Sequence, residues 1–240
     1  ARIATQGWGA DLLARQEASG RWGGGIYSPK WISTHYTTLL LRRLGLMLEH
    51  PQALKACRLL LDAGFQDDGG INVAVTNKQS ETCVTGMTLS MLAHFRLADG
   101  RIERIVAYLL EEQMPDGGWN CEAYRGATHS SFHTTISVLE GLREYEKWRP
   151  EEALPLVAAR ERAHEFLLIH HLFRSHRTGE VFDPRMTRFS FPPRWHYDVL
   201  RALDYFQAVG ASRDARFQDA IRLLQKKQKA DGRWPQYHGP

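Results

Sequence analysis

Gln113-Met114-Pro115-Asp116-Gly117-Gly118-Trp119 decides how the chain folds. Its frame is Gln, then Gly four residues on, then Trp six residues on. The frame returns in Gln16-Glu17-Ala18-Ser19-Gly20-Arg21-Trp22 and in Gln228-Lys229-Ala230-Asp231-Gly232-Arg233-Trp234. Asp68-Gly69-Gly70-Ile71 and Gly179-Glu180-Val181 fill the intervals as degenerate copies, so one turn recurs about every fifty residues.

A helical pattern precedes each turn, as in Ile105, Ala107, Leu109 and Leu110 or Ala220, Ile221, Leu223 and Leu224. A second, more apolar pattern follows it, in Leu39–Leu48, Met87–Phe95, Ile136–Leu142 and Val199–Phe206. The helix before the turn carries Arg, Glu and Lys on one side and faces water. The helix after it is rich in Leu, Thr, Met and small residues and is buried on several sides. Two concentric helix layers meet both demands. The expected fold is therefore all-α, an α/α toroid of five outer and four inner helices. It forms a single domain over residues 1–240, of about five helical hairpins. The last hairpin is incomplete, because Trp234-Pro235 stands where another inner helix should begin. An uncovered inner face there leads us to expect dimerisation or a longer native chain.

With 24% charged and 43% hydrophobic residues over 240 positions, the chain is an ordinary globular one, neither disordered nor collagen-like. A formal charge of +4 without basic runs argues against a nucleic-acid partner. No apolar run reaches the length of a membrane span. Cys57, Cys83 and Cys121 are too few for a disulfide framework, so a cytoplasmic location is expected.

Superposing the apolar frames of the inner helices places His35, Cys83, His133 and Arg194 at equivalent rim positions, with Thr37, Thr85, Thr135 and His196 one register inward. Cys83 and His133 fall on neighbouring inner helices, whose side chains can reach one ion across an interaxial gap of roughly 8–10 Å. Glu81, two residues before Cys83, adds an oxygen. Cys121 and His129 belong to the turn feeding the same rim. Three ligands plus water would make a catalytic zinc site, and Cys121 as a fourth would make a closed, structural one. The segment from Thr187 to Asp198 is the densest aromatic stretch. It supplies Trp195 and Tyr197 as a ligand wall, beside His35, Tyr36 and Arg194, with His196 and Asp198 as candidate acid–base groups.

These motifs carry a family resemblance over nearly the whole chain. The Gln-to-Trp frame with Asp-Gly-Gly-Trp resembles the QW repeat of squalene cyclases and related terpene cyclases, whose toroid is also built by the β subunits of protein prenyltransferases. The resemblance implies that Gln16, Gln113 and Gln228 cap helix ends while Trp22, Trp119 and Trp234 stack over them. Glu81-x-Cys83 and Phe132-His133-Thr134 resemble the prenyltransferase zinc site, with Glu where that family has Asp. This implies zinc as cofactor on Glu81, Cys83 and His133, with Cys121 or His129 able to complete the shell. The Asp-x-Asp-Asp acid motif of class II cyclases is missing, and Asp67-Asp68 lies in a turn. Arg42, Arg43, Arg125, Arg185, Arg188 and Arg194 are the cations open to a prenyl diphosphate, with Tyr36, Tyr124 and Tyr197 as donors. The expected function is that of a prenyltransferase-like or terpene-cyclase-like zinc protein acting on an isoprenoid or other small apolar ligand. The alternatives are a non-catalytic lipid- or partner-binding toroid with a structural metal, and a carbohydrate-active toroid.

Overall fold

Each recurring turn bends on a glycine in the left-handed region: Gly20 (φ 91°), Gly69 (90°), Gly117 (96°), Gly179 (72°) and Gly232 (79°). A side chain there is strained, and at Gly117 a Cβ would also stand 2.5 Å from the Arg162 carbonyl. The degenerate copies at Gly69 and Gly179 therefore share the geometry of the full ones.

The computed structural model describes residues 2–74, 78–211 and 214–237. Among these the chain is all-helical, with no strand. The outer helices are α1 (Gly7–Ala14), α3 (Pro51–Gly64), α5 (Arg101–Glu111), α7 (Leu154–Ile169) and α9 (Gln218–Lys227). The inner ones are α2 (Thr34–Arg43), α4 (Thr82–His94), α6 (Phe132–Trp148) and α8 (Val199–Ala208). The expected alternation of layers is met. The first three inner helices begin about one turn earlier than the apolar runs that mark them. Their Thr-, Ser- and His-bearing first turns are helical but polar, because they tie the helix to the turn before it. No helix among the described residues is long and apolar enough to cross a membrane.

The repeat works through hydrogen bonds. The indole N–H donates to a carbonyl ten residues back in the preceding outer helix, Trp22 to Leu12 at 2.7 Å, Trp119 to Leu109 at 2.6 Å and Trp234 to Leu224 at 2.8 Å. The Gln113 amide donates to the Gly117 carbonyl within the turn and to the Ala159 carbonyl of α7. The Gln16 amide does the same with Gly20 and with Gln52 of α3. One side chain thus closes its turn and fastens it to the next outer helix. Three equivalent turns would bury all three Trp residues, and the last departs from this. Trp22 and Trp119 are 3% and 0% exposed, whereas Trp234 is 43% exposed. No outer helix follows α9 among the described residues, and Gln228 is seen to bond only within its turn, to Gly232.

The core is densest where α4 crosses α6. A Cβ on Gly86 would lie 2.7 Å from the Val138 Cα, and one on Gly141 would lie 2.5 Å from the Gly86 carbonyl. Glycine at both positions lets the two backbones touch. Almost the whole of α4 is buried.

Candidate functional site

In the first three turns the backbone N–H of the aromatic-position residue donates to a threonine hydroxyl of the inner helix that follows: Trp22 to Thr34, Ile71 to Thr85 and Trp119 to Thr135, at 2.9–3.1 Å. This bond sets the true register. Thr85 and Thr135 lie two residues after Cys83 and His133, but Thr34 lies one residue before His35. The alignment of His35 with Cys83 and His133 is therefore shifted by three residues. His35 instead matches Gly86 and Ile136 and points into the core. It is 0% exposed, neither ring nitrogen has a partner, and the Tyr27 and Tyr36 rings stand 5.3 and 5.1 Å away. Arg194 also departs from the frame. It lies in the loop before α8, in the left-handed region at φ 56°, and the helix starts only at Val199.

Burial pushes the His35 pKa down to about 3. The folded state keeps this ring neutral, while the unfolded chain protonates it near 6.5. A depressed folded value means the contribution is complete above about pH 6.5 and is lost progressively as pH falls toward 3. Unfolding stability should drop by about 2 kcal/mol from pH 7 to pH 5 on this account. Urea titrations of the wild type and His35→Phe at both pH values test it. A pH dependence as steep in the variant as in the wild type would remove His35 as its source.

The four residues expected to bind zinc are divided. Cys83 and Cys121 form a pair: the Cys83 N–H donates to the Cys121 Sγ at 3.1 Å, and the Thr134 hydroxyl lies 3.3 Å from the same sulfur. The side-chain hydrogen bond from Cys83, with Thr134 and the backbone, holds the Cys121 thiol below its ordinary value, while Cys83 itself is raised by that same bond and by burial. Glu81 is the N-cap residue of α4, close enough to act electrostatically on both thiols. His133 is turned the other way. Its Nδ1 accepts the Tyr197 N–H at 2.7 Å, and its ring stands 5.2 Å from Trp195. Among the described residues no three His, Cys, Asp or Glu side chains gather around one point. The thiol pair is assembled, but with His133 held against the α8 loop this donor set does not fit a tetrahedral zinc shell.

The aromatic expectations fare unevenly. Tyr197 is a core residue, 2% exposed, with its hydroxyl donating to the Leu172 carbonyl. His196 stacks on Trp195 with ring centres 3.8 Å apart. Asp198 is the N-cap of α8; one oxygen accepts the Arg201 N–H at 2.9 Å and the other the Ser190 N–H at 3.1 Å. Tyr36 donates to the Tyr27 hydroxyl and packs edge-on against Trp31. The Arg194 guanidinium lies 3.9 Å from the Trp31 ring centre, a cation–π contact between two residues that both have positive φ. Trp31, Tyr36, Leu39, Leu40, Pro192 and Arg194, together with Arg43, line a cavity of about 200 Å³.

Arg43 also lines a second cavity, of about 480 Å³, between the C-terminal halves of α2 and α6 and the start of α8. Here Glu140 of α6 receives Arg43 at 2.8 Å, Arg42 at 3.4 Å and Arg201 of α8 at 2.9 Å. Glu144, one turn on, is approached by Arg42, His94, Arg143 and Lys147. Burial alone would raise both carboxyls. The surrounding cations outweigh it, holding Glu140 well below the ordinary range and Glu144 at about 2. Asp198 faces the same cavity and goes the other way, raised by burial despite its two backbone donors. The cluster ties α2 and α8 to α6.

Glu140, Glu144, His94 and Arg201 were not among the sequence candidates. A signal existed, since each is a polar or ionisable residue in a helix otherwise marked by its apolar frame. Of the arginines open to a phosphate, Arg42 and Arg43 do reach the cavity. Arg125 and Arg185 are exposed and paired with Glu122 and Asp183.

No protein-family model and no curated protein matches this chain. Solved structures do. A variant of the type II terpene cyclase MstE from Scytonema, in complex with geranylgeranyl dihydroxybenzoate, superposes with a TM-score of 0.59 at 18% identity, over 94% of this chain and 64% of that one. A protein from Actinoplanes superposes with a TM-score of 0.54 at 19% identity, over 94% and 65%. The chain thus spans less than two thirds of the length of either. What it shares with them is the helical fold found in a type II terpene cyclase.

Proposed function

We propose that the protein is a terpene-cyclase-like enzyme that holds an isoprenoid-type substrate in the space between its inner helices. The observation that carries this reading is the pairing of an aromatic cavity with a buried acid. Trp31 and Tyr36 face one compartment, and Asp198, raised by burial, faces the adjoining one. An aromatic wall suits an apolar chain and, through ring faces, a developing carbocation. Burial raises the Asp198 carboxyl and so favours the protonated form, the form that can deliver a proton to an alkene. Asp198 is thus the group assigned as acid, in place of the missing Asp-x-Asp-Asp motif. Support from comparison is the shared fold and the geranylgeranyl compound bound by the Scytonema enzyme.

The test separates binding from chemistry. Geranylgeranyl compounds should quench tryptophan fluorescence, and Trp31→Ala should weaken their binding about tenfold. Asp198→Asn keeps an N-cap side chain, so the fold should survive. It should still bind but form no cyclised product by mass-spectrometric assay. Undiminished turnover by Asp198→Asn would remove the acid role. Failure of every geranylgeranyl compound to bind would remove the isoprenoid reading.

A further inference from the structure

We propose that His170 and His176 form a binding site for a late divalent transition ion of right-angled coordination, nickel(II) or copper(II), where the fourth turn meets the outer helix before it. Such a site does not depend on the isoprenoid reading. It lies where the repeat lacks one of its ties. In the full turns the Trp indole N–H fastens the turn to the preceding outer helix. The fourth turn has Val181 at that position, 37% exposed and without a side-chain donor. The part played elsewhere by Gln is taken by Arg174, which donates to the Gly179 carbonyl within the turn and to Asp219 of α9. The tie back to α7 falls to the histidines. His170 is the C-cap residue of α7 and His176 lies in the turn. Their rings are perpendicular, with His176 Nδ1 3.0 Å from His170 Nε2.

His170 is built as a ligand. A carbonyl can only accept, so the Phe166 carbonyl 2.7 Å from Nδ1 fixes the proton there and leaves Nε2 with a bare lone pair. Metal-bound imidazoles are oriented by a bond of this kind on the far nitrogen. The Phe132 and Phe166 rings pack 5.2 and 4.9 Å from the His170 ring and hold its direction. Burial keeps His170 below its ordinary value, so protons compete weakly for that nitrogen at neutral pH. His176 is exposed and can turn its own lone pair to the same point. Two imidazole nitrogens, each about 2.0–2.1 Å from one ion, stand about 2.9 Å apart at a right angle and about 3.3 Å apart in a tetrahedron. The observed 3.0 Å fits the right angle of a square-planar or octahedral ion. The local potential favours a cation, because the C-terminal end of the α7 dipole is negative and Asp116 acts on His170 electrostatically. Among the described residues no third His, Cys, Asp or Glu side chain joins the pair, so the other positions fall to water.

The probes are nickel(II) and zinc(II), titrated calorimetrically into chelator-treated protein. His176→Ala changes an exposed side chain, so the fold should survive. The double variant Cys83→Ser, Cys121→Ser removes the thiol pair, and His129→Ala is an exposed control. We expect nickel to bind the wild type, and His176→Ala to weaken it at least about tenfold. The cysteine double variant and His129→Ala should bind nickel as the wild type does. In the cysteine double variant, where thiols cannot favour zinc, nickel should bind more tightly than zinc. Nickel should also raise the unfolding midpoint of the wild type and leave that of His176→Ala unchanged. No nickel binding to the wild type, or equal affinity in His176→Ala, overturns the proposal and leaves the pair as a hydrogen bond. Loss of nickel in the cysteine double variant alone also overturns it and assigns the ion to the thiols. Tighter binding of zinc than of nickel in that variant overturns the right-angled site.

Discussion

Trp119→Ala should destabilise the protein by about 3–5 kcal/mol, the range for removing a fully buried large aromatic. The side chain is 0% exposed, and its N–H satisfies the Leu109 carbonyl at the end of α5. The substitution therefore opens a cavity and orphans a backbone acceptor together. Trp22→Ala should behave alike, since Trp22 is 3% exposed and bonded to Leu12. Trp234→Ala should cost much less, because Trp234 makes the same bond while 43% exposed. Urea unfolding of the three variants provides the comparison. Three equal losses would mean that burial does not set the contribution of the repeat.

Glu140→Gln is the second large effect. The variant keeps size and some hydrogen bonding but removes the one carboxylate shared by Arg42, Arg43 and Arg201. Breaking a buried ion cluster by deleting one partner typically costs about 3–5 kcal/mol, because the remaining charges are left uncompensated. The pH dependence has a definite sign. The Glu140 and Glu144 carboxyls are depressed in the folded protein, so their contribution is complete above the unfolded value of about 4.5. It is lost as pH falls below that, through the Glu144 value of about 2. The wild type should therefore lose stability on acidification below pH 4.5 beyond what the histidines explain, and Glu140→Gln should lose less over that interval. A variant as stable as the wild type at pH 7, with the same acid limb, would show that the cluster contributes nothing net.

The layered helical architecture was legible in the chain. A turn built on Gly with Gln before it and Trp after it repeats through local chemistry: a left-handed backbone, an amide that spans the turn, and an indole that reaches one carbonyl ten residues back. Each of these acts over a short stretch of sequence, so spacing alone reveals it. Asp68 was legible for the same reason, as a turn residue accepting from Gly70.

The site was not legible in that way. Whether His35 shares a rim with Cys83 and His133 depends on which residue receives the turn's N–H, and Thr34 sits three residues out of step with Thr85 and Thr135. A shift of that size carries a side chain from the rim into the core without altering the apolar pattern. Cys83 and Cys121 meet because α4 starts beside the turn that feeds α6. His133 turns to the α8 loop because the Tyr197 N–H needs an acceptor there. Arg43, Glu140 and Arg201 come from three helices and converge only once these helices have packed together. Short-range hydrogen bonding and amphipathic period are written in the sequence, and they determined the repeat and the two layers. Which charges face one another across the centre depends on helix rotation and ring curvature, which many weak packing contacts set together, so only the tertiary structure decided it.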